Sequence, residues 1–163
     1  MQSFQPFHGT ITIIRDFPVA RNEELSGCYK LMTLVGDDGT IVTFVVSPST
    51  YFVDHVQVTI GDKVTGYYDK NAAVPLIYPP QYRAIIMVKE TPHQNTKVDY
   101  FDSQLVSSDG YLKLIVDQNT QIALPNNQAY TQNLANRNLI VVYDVATKSI
   151  PAQTTPIKII IIC

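Results

Sequence analysis

Charged side chains are scarce in this sequence, at 16% of its 163 residues. Soluble domains usually carry about 25%, so Ser, Thr, Asn, Gln and Tyr must keep much of this surface wetted. The formal net charge is only −2, and no two Lys or Arg residues are adjacent. Proteins that bind duplex nucleic acid or an anionic membrane typically present a basic patch. The sequence therefore predicts neither of these partners.

The motifs of common catalytic, metal and phosphate sites are also missing. The three histidines, His8, His55 and His93, are far apart, and no HxH, HxxxH or paired-Cys spacing suggests metal ligands. No GxGxxG, GxxxxGK, GxSxG or HExxH pattern occurs. We therefore predict a protein that is not an enzyme, with no catalytic residues, no metal ion and no cofactor.

The sequence also has few cysteines and no long apolar run. Cys28 and Cys163 are far apart and lie in different halves of the chain, which indicates unpaired thiols in a reducing compartment and predicts a cytoplasmic protein. The first nine residues lack the basic and apolar regions of a signal peptide, so we expect none. The longest apolar run, residues 159–163, is far shorter than the roughly 20 residues of a membrane span.

Short runs rich in Val, Ile, Thr and Tyr, separated by Gly, Pro, Asp and Asn, predict an all-β fold. GDDG at residues 36–39 predicts a hairpin turn. A proline cannot donate to a strand ladder, so Pro48 predicts a break within residues 47–50. A polar segment at residues 17–27 is predicted to be a loop. The strands expected in the first half are residues 9–16, 28–35, 40–46 with a continuation at 51–54, 63–68 and 82–89.

The second half of the chain repeats the first. Residues 64–87 read VTGYYDKNAAVPLIYPPQYRAIIM: an apolar run, a Tyr-Tyr-Asp turn, a proline-bearing loop and a second apolar run. Residues 139–162 read LIVVYDVATKSIPAQTTPIKIIII and keep the same order. The matching positions that we infer are Asp109-Gly110 with Asp38-Gly39, Thr120 with Thr50, Tyr143-Asp144 with Tyr68-Asp69, Ile150-Pro151 with Val74-Pro75, and Pro156 with Pro80.

The repeat predicts two domains, residues 1–90 and 91–163, joined by the polar segment 90–97. Units of roughly 80 residues are marginal alone, so we expect the two to pack together. The second copy has room for only one strand before its hairpin turn, and we expect it to share a strand or edge with the first. Little helix is expected, with a helical turn or two only around residues 128–136.

The last apolar run, residues 157–162, abandons the alternation of apolar and polar residues. A strand with that pattern is buried on both faces. An exposed edge of this composition would promote aggregation. We therefore predict a central strand, or one that docks against another chain.

Three strands, a short connection and two more strands in the first half resemble the OB-fold, a five-stranded Greek-key barrel. The resemblance covers residues 9–89 and rests on this order and on the GDKV turn before the fourth strand. It implies two tandem OB-like barrels, of about five and about four strands. The phrases YYDKNAAVPLIYPPQY and TKSIPAQTTPIKIII also resemble an uncharacterised group of bacterial proteins with this duplicated layout, which implies no activity.

Residues 67–82 form the candidate binding site. Tyrosine offers a large apolar face with a polar tip, and prolines pre-order a loop, so this composition suits an interface or a stacking platform. The alternative is a lid that folds back over the barrel end with half-buried tyrosines. Asp69 and Asp144 each follow an apolar strand, where a carboxylate commonly starts a turn. The candidate binding residues are Tyr67, Tyr68, Asp69, Tyr78, Pro79, Pro80, Gln81 and Tyr82.

These observations favour a non-catalytic binding or interaction protein with a protein partner or with self-association. The alternative is an OB-type module that binds a small ligand, an oligosaccharide or single-stranded nucleic acid, with Phe44, Tyr51 and Phe52 available for stacking. An enzyme is a third hypothesis. Its site would have to be assembled across the two halves from Asp69, Asp144, His55 or Cys28.

Overall fold

The structure, a computed structural model, describes residues 3–18 and 23–163. Over these residues its regular secondary structure is almost entirely β, which confirms the all-β part of the prediction. The two short 3-10 turns are Glu23–Leu25 and Val53–His55. The strands are β1 (Phe4–Asp16), β2 (Lys30–Val35), β3 (Ile41–Val46), β4 (Tyr51–Phe52), β5 (Lys63–Asp69), β6 (Gln81–Arg83), β7 (Ile86–Lys89), β8 (Asn95–Phe101), β9 (Leu112–Leu114), β10 (Gln121–Ala123), β11 (Arg137–Tyr143), β12 (Ala152–Thr154) and β13 (Lys158–Ile161).

Some local predictions need correction. The first strand begins at Phe4 rather than Gly9, and β8 begins inside the segment expected to be a linker. The helical turn expected around residues 128–136 is wrong, since this segment is irregular. Part of the loop predicted at residues 17–27 lies outside the described residues.

Two compact units divide the chain, one spanning Phe4–Glu90 and the other built mainly from Thr91–Cys163. The first unit forms one sheet with the strand order β4-β7-β5-β1-β2-β3-β6. β1, β2 and β3 are an antiparallel meander, and β5 and β7 continue the sheet antiparallel on the other side of β1. The short edge strands β4 and β6 pair in parallel with β7 and β3.

The fifth strand predicted for this unit is divided into β6 and β7, and it changes partner between them. The Ala84 amide donates to the Val45 carbonyl on β3 at 3.0 Å, whereas the Ile85 amide donates to the Tyr67 carbonyl on β5 at 2.8 Å. The ladder is interrupted at this point, so the sheet is open rather than the closed barrel expected from the sequence.

The second unit has a four-stranded sheet, β10-β13-β11-β8, and a separate parallel pair, β12-β9. Its pairings repeat those of the first unit: β10 is parallel to β13 as β4 is to β7, and β12 to β9 as β6 is to β3. β11 lies antiparallel between β13 and β8, as β5 does between β7 and β1. The repeat read from the sequence thus corresponds to a repeated strand pairing.

At the position that β2 occupies in the first unit, between β1 and β3, the second unit has a short segment of its own between β8 and β9. Two isolated bridges, Phe101 with Ser107 and Val106 with Lys113, connect β8 and β9 through a much shorter segment. The amide of Ser108 also donates to the Tyr100 carbonyl at 2.8 Å. Strand sharing with the first copy, as predicted from the sequence, is therefore not needed to fill this position.

The predicted turns at Gly39 and Gly110 are confirmed, each with a positive φ, 85° and 79°, that favours glycine. An aspartate carboxylate before each glycine accepts the backbone amide two residues further on, from Thr40 and from Tyr111, at 3.0 Å in both turns. These Asx turns fix the register of the strands on either side.

Each unit has its own apolar core. The most deeply buried members of the first, each at most 1% exposed, are Ile11, Leu34, Phe44, Val64 and Met87. The second includes Phe101, Leu139, Val141, Ile159 and Ile161.

β13 lies between β10 and β11, and Ile159, Ile160 and Ile161 are all fully buried. The prediction of a central strand buried on both faces is confirmed. Among the described residues, no helix is long and apolar enough to cross a lipid bilayer.

Candidate functional site

Two aromatic rings stack at the rim of the first core. Tyr68 on β5 and Tyr82 on β6 have ring centroids 3.9 Å apart and planes inclined by 9°. Phe44, fully buried on β3, contacts both rings in tilted orientations with centroids 6.1 and 6.3 Å away. Both tyrosines are half-buried against the core. We call Tyr68 and Tyr82 the tyrosine pair.

Burial of the Tyr68 ring, the proximity of Tyr82 and a hydrogen bond between the two side chains raise the pKa of Tyr68 to about 12. Each cause favours the neutral phenol: removing water and adding a nearby anion both oppose phenolate, and the hydrogen bond holds the proton. Tyr68 therefore stays protonated throughout the neutral range.

The loop between β5 and β6 is fixed at both ends. At its start the Asp69 carboxylate accepts the Asn71 amide at 3.0 Å, which confirms the turn predicted there. At its end the Pro80 carbonyl accepts the Thr43 amide of β3 at 2.9 Å, after a cis peptide bond between Tyr78 and Pro79.

Between these anchors, residues 72–78 form an exposed loop of apolar composition, which we call the apolar loop. Leu76 is as exposed as in an isolated residue, at 102%, and Tyr78 is 80% exposed. Val74 and Ile77 are also largely exposed, at 43% and 54%. Residues 71–82 contain no charged side chain. Exposed apolar residues that occur together, rather than singly, mark interaction surfaces.

The second unit has an equivalent loop between β11 and β12, and its character is different. Val145 and Ile150 are exposed at 76% and 83%, but the residues between them include the polar Thr147 and Ser149. Thr147 and Ser149 hydrogen-bond to each other at 2.7 Å, and Ser149 donates to the Pro151 carbonyl at 2.8 Å. The first loop is exposed and uncharged throughout residues 72–78, whereas the second has only Val145 and Ala146 in succession before the polar Thr147.

The structure also corrects the alignment of the two copies in this region. The cis peptide Ile150-Pro151 precedes β12, and the cis peptide Tyr78-Pro79 precedes β6. These two peptides therefore correspond, and Ile150-Pro151 does not correspond to Val74-Pro75. Pro156 corresponds to Ala84 rather than Pro80, because the carbonyls of these two residues accept equivalent threonine hydrogen bonds.

The residues predicted for the site fall into separate environments. Tyr67 is only 5% exposed and lies on the opposite face of β5 from Tyr68. Asp69 starts the turn, Pro79 and Pro80 are half-buried, and Gln81 pairs with Thr43. Half-buried Tyr68 and Tyr82 match the lid alternative, whereas Tyr78 does not fold back.

Sequence reasoning missed Val74, Leu76 and Ile77, although the twelve uncharged residues between Lys70 and Arg83 were a visible signal.

The remaining candidates take part in local contacts. The Cys28 thiol donates to the Glu24 carbonyl at 3.5 Å, and the His55 ring contacts Tyr51 edge to face at 5.5 Å. The Asp144 carbonyl accepts a hydrogen bond from the Asn95 side chain at 2.8 Å. Within the described ranges, no group of three or more His, Cys, Asp or Glu side chains is arranged to hold a metal ion.

Comparison of the chain with protein-family models, with curated proteins and with solved structures gave no match.

Proposed function

We propose that this chain is a non-catalytic interaction protein that contacts a protein partner, or a second copy of itself, through the apolar loop. The observation that carries the proposal is the complete exposure of Leu76 within a run of exposed apolar residues. Burying about 100 Å² of such surface contributes about 2.5 kcal/mol. Leu76 would gain this energy only on association, which favours an interface at this loop.

Preorganisation supports the same proposal. Asp69 and Pro80 anchor the two ends of the loop, and Pro75 and Pro79 restrict the backbone between them. A loop ordered before binding loses less conformational entropy when it docks. The absence of charge from residues 71–82 favours an apolar surface on the partner over an acidic or basic one.

Self-association is tested by size-exclusion chromatography with light scattering over a range of concentrations. A heterologous partner is tested by capture from source lysate on immobilised protein. The informative variant is Leu76→Asn, which removes the apolar anchor at a fully exposed position. We expect it to abolish self-association or capture and to leave the melting temperature unchanged.

Ile150→Asn is the matched control, because it makes the same kind of change at an 83% exposed residue of the equivalent loop in the second unit. It should retain association. A wild-type protein that stays monomeric at all concentrations and captures nothing would refute the proposal, and so would equal losses in the two variants.

We further propose that each unit has an OB-like strand arrangement. In the first, an antiparallel β1-β2-β3 meander, antiparallel β1-β5 and β5-β7 pairs, and a parallel β3-β6 pair support it. In this proposal β6 and β7 together take the place of the fifth strand of the OB-fold, although the sheet is open. Kinship with the uncharacterised bacterial group is likewise proposed on the resemblance alone.

The alternative function is binding of a small ligand, an oligosaccharide or a single-stranded nucleic acid, and the tyrosine pair supports it. Aromatic side chains at the rim of an OB-like barrel can stack on bases or sugars. Fluorescence anisotropy with labelled oligonucleotides at low salt tests the nucleic-acid version, in which Tyr82→Ala should weaken binding more than Tyr78→Ala.

A cytoplasmic location is part of the proposal. Cys28 and Cys163 are both free and exposed, which suits a reducing compartment. The state of the two thiols in protein isolated under alkylating conditions would test this location.

A further inference from the structure

We propose that the tyrosine pair is a site of oxidative cross-linking, at which Tyr68 and Tyr82 are joined by a carbon–carbon bond as dityrosine. The rings are nearly parallel, with centroids 3.9 Å apart. Stacking this close brings the ortho carbons beside the hydroxyl of each ring near the face of the other ring.

The reaction requires a peroxide oxidant, and its atoms balance. Each phenol loses one electron and its hydroxyl proton, which gives two tyrosyl radicals with spin density on their ortho carbons. One ortho carbon of Tyr68 then bonds to one of Tyr82. The hydrogens on these two carbons leave as the rings regain aromaticity and their hydroxyl groups. In total two C–H bonds break, one C–C bond forms, two electrons reduce the O–O bond, and two protons pass to its oxygens or to water.

The position of the pair gives the cross-link a structural consequence. β5 and β6 are not neighbours in the hydrogen-bonded sheet, and the apolar loop lies between them in sequence. A bond between Tyr68 and Tyr82 would close the base of this loop covalently. Closing a loop lowers the entropy of the unfolded chain, so the linked protein should melt at a higher temperature than the unlinked protein.

The test is photo-oxidation of dilute protein with a ruthenium tris-bipyridyl sensitiser and persulfate, followed by trypsin and mass spectrometry of the monomer fraction. Lys70 lies between the two tyrosines, so trypsin releases them in separate peptides, residues 64–70 and 71–83. The cross-link should appear as these two peptides joined and two hydrogen atoms lighter than their sum. Fragmentation should locate the bond at Tyr68 and Tyr82.

Tyr68→Phe and Tyr82→Phe should each eliminate the joined peptides, while Tyr78→Phe, at an 80% exposed position, should retain them. Circular dichroism melting verifies that each variant is folded. In urea, where the stack is absent, the link should fall to the level of other tyrosine pairs. The proposal is overturned if the folded monomer contains no 68–82 link while exposed tyrosines such as Tyr78 and Tyr111 are oxidised or joined between molecules.

Discussion

Thr120 donates its hydroxyl hydrogen to the carbonyl oxygen of Pro156 at 2.8 Å, across 36 residues of chain. Thr50 makes the same bond to the Ala84 carbonyl in the first unit at 2.7 Å. In each unit the threonine precedes a short edge strand, β10 or β4. The accepting carbonyl precedes the strand that pairs with this edge strand in parallel, β13 or β7. The repeated threonine therefore has a structural role in both copies.

Thr120→Val is expected to lower the free energy of unfolding by about 1–3 kcal/mol, because it leaves the Pro156 carbonyl without its donor in a buried place. Thr120 is only 8% exposed, whereas Thr50 is half-buried, so Thr50→Val should cost less. Thr12→Val, at an exposed hydroxyl, serves as the control and should have little effect. Urea denaturation measures all three, and an unchanged Thr120→Val would contradict the assignment.

Gly66→Ala should destabilise the first unit by about 1–3 kcal/mol through overpacking. A methyl group at this position would lie 2.6 Å from two ring carbons of Phe44 and 3.0 Å from the Met87 sulfur. Thermal and urea unfolding measure the loss.

The double variant Gly66→Ala/Phe44→Leu separates this clash from other effects. Because the smaller leucine makes room for the methyl group, the alanine should cost less in the Phe44→Leu background than in wild type. Additive losses would exclude a clash with Phe44 as the cause.

Tyr68 should contribute stability that is lost in alkali. Its pKa rises from the ordinary value of 10.0 to about 12 on folding, so the folded state holds the proton more tightly. The contribution is complete below pH 10 and is lost as the pH rises towards 12. In urea titrations the alkaline fall in unfolding free energy should be shallower for Tyr68→Phe than for wild type. Tyr78→Phe should match wild type, and parallel curves for all three proteins would contradict the prediction.

Asp109 should contribute stability that is lost in acid. Burial opposes its ionisation, but hydrogen bonds from Lys97, Ser107 and the Tyr111 amide outweigh burial and hold the pKa of this carboxyl below its usual value. Since the folded-state pKa is the lower one, the stabilisation is complete above the ordinary aspartate pKa and is lost as the pH falls below that value through the folded-state pKa.

Asp109→Asn should therefore lower the melting temperature at pH 7, and the difference from wild type should shrink as the pH falls below 4. Asp37→Asn, in the turn of the first unit, tests whether any lost carboxylate has this effect. A difference between Asp109→Asn and wild type that does not vary with pH would rule out the ionised carboxylate as the source.

Removal of residues 158–163 should yield insoluble protein, because it deletes β13 from the centre of its sheet and exposes the edges of β10 and β11. Solubility after expression and the thermal melt of any soluble fraction are the measurements. Removing Cys163 alone, which is exposed, should be tolerated. A soluble, cooperatively melting protein without β13 would show that this strand is dispensable.

Local patterns were enough to predict several parts of the fold. The alternation and composition of the runs predict strands, and aspartate with glycine predicts the turns at Gly39 and Gly110. Local patterns do not predict that the last strand of the first copy is divided into β6 and β7. The division arises because the backbone amides of Ala84 and Ile85 bond to different strands, β3 and β5, which lie elsewhere in the sequence. For the candidate site, composition indicated the region but not the roles of Tyr67, Tyr68 and Tyr78.

The sequence by itself determined the all-β class, the internal repeat and the central position of the last strand, because each depends on residue spacing and on the backbone preferences of Gly, Pro and Asp. Only the tertiary structure decided which apolar side chains are exposed and which aromatic rings meet. Burial is set by what packs against a residue from elsewhere in the chain. Tyr68 and Tyr82 stack because their strands converge on Phe44, whereas the more apolar Leu76 lies on a loop that nothing in its unit covers.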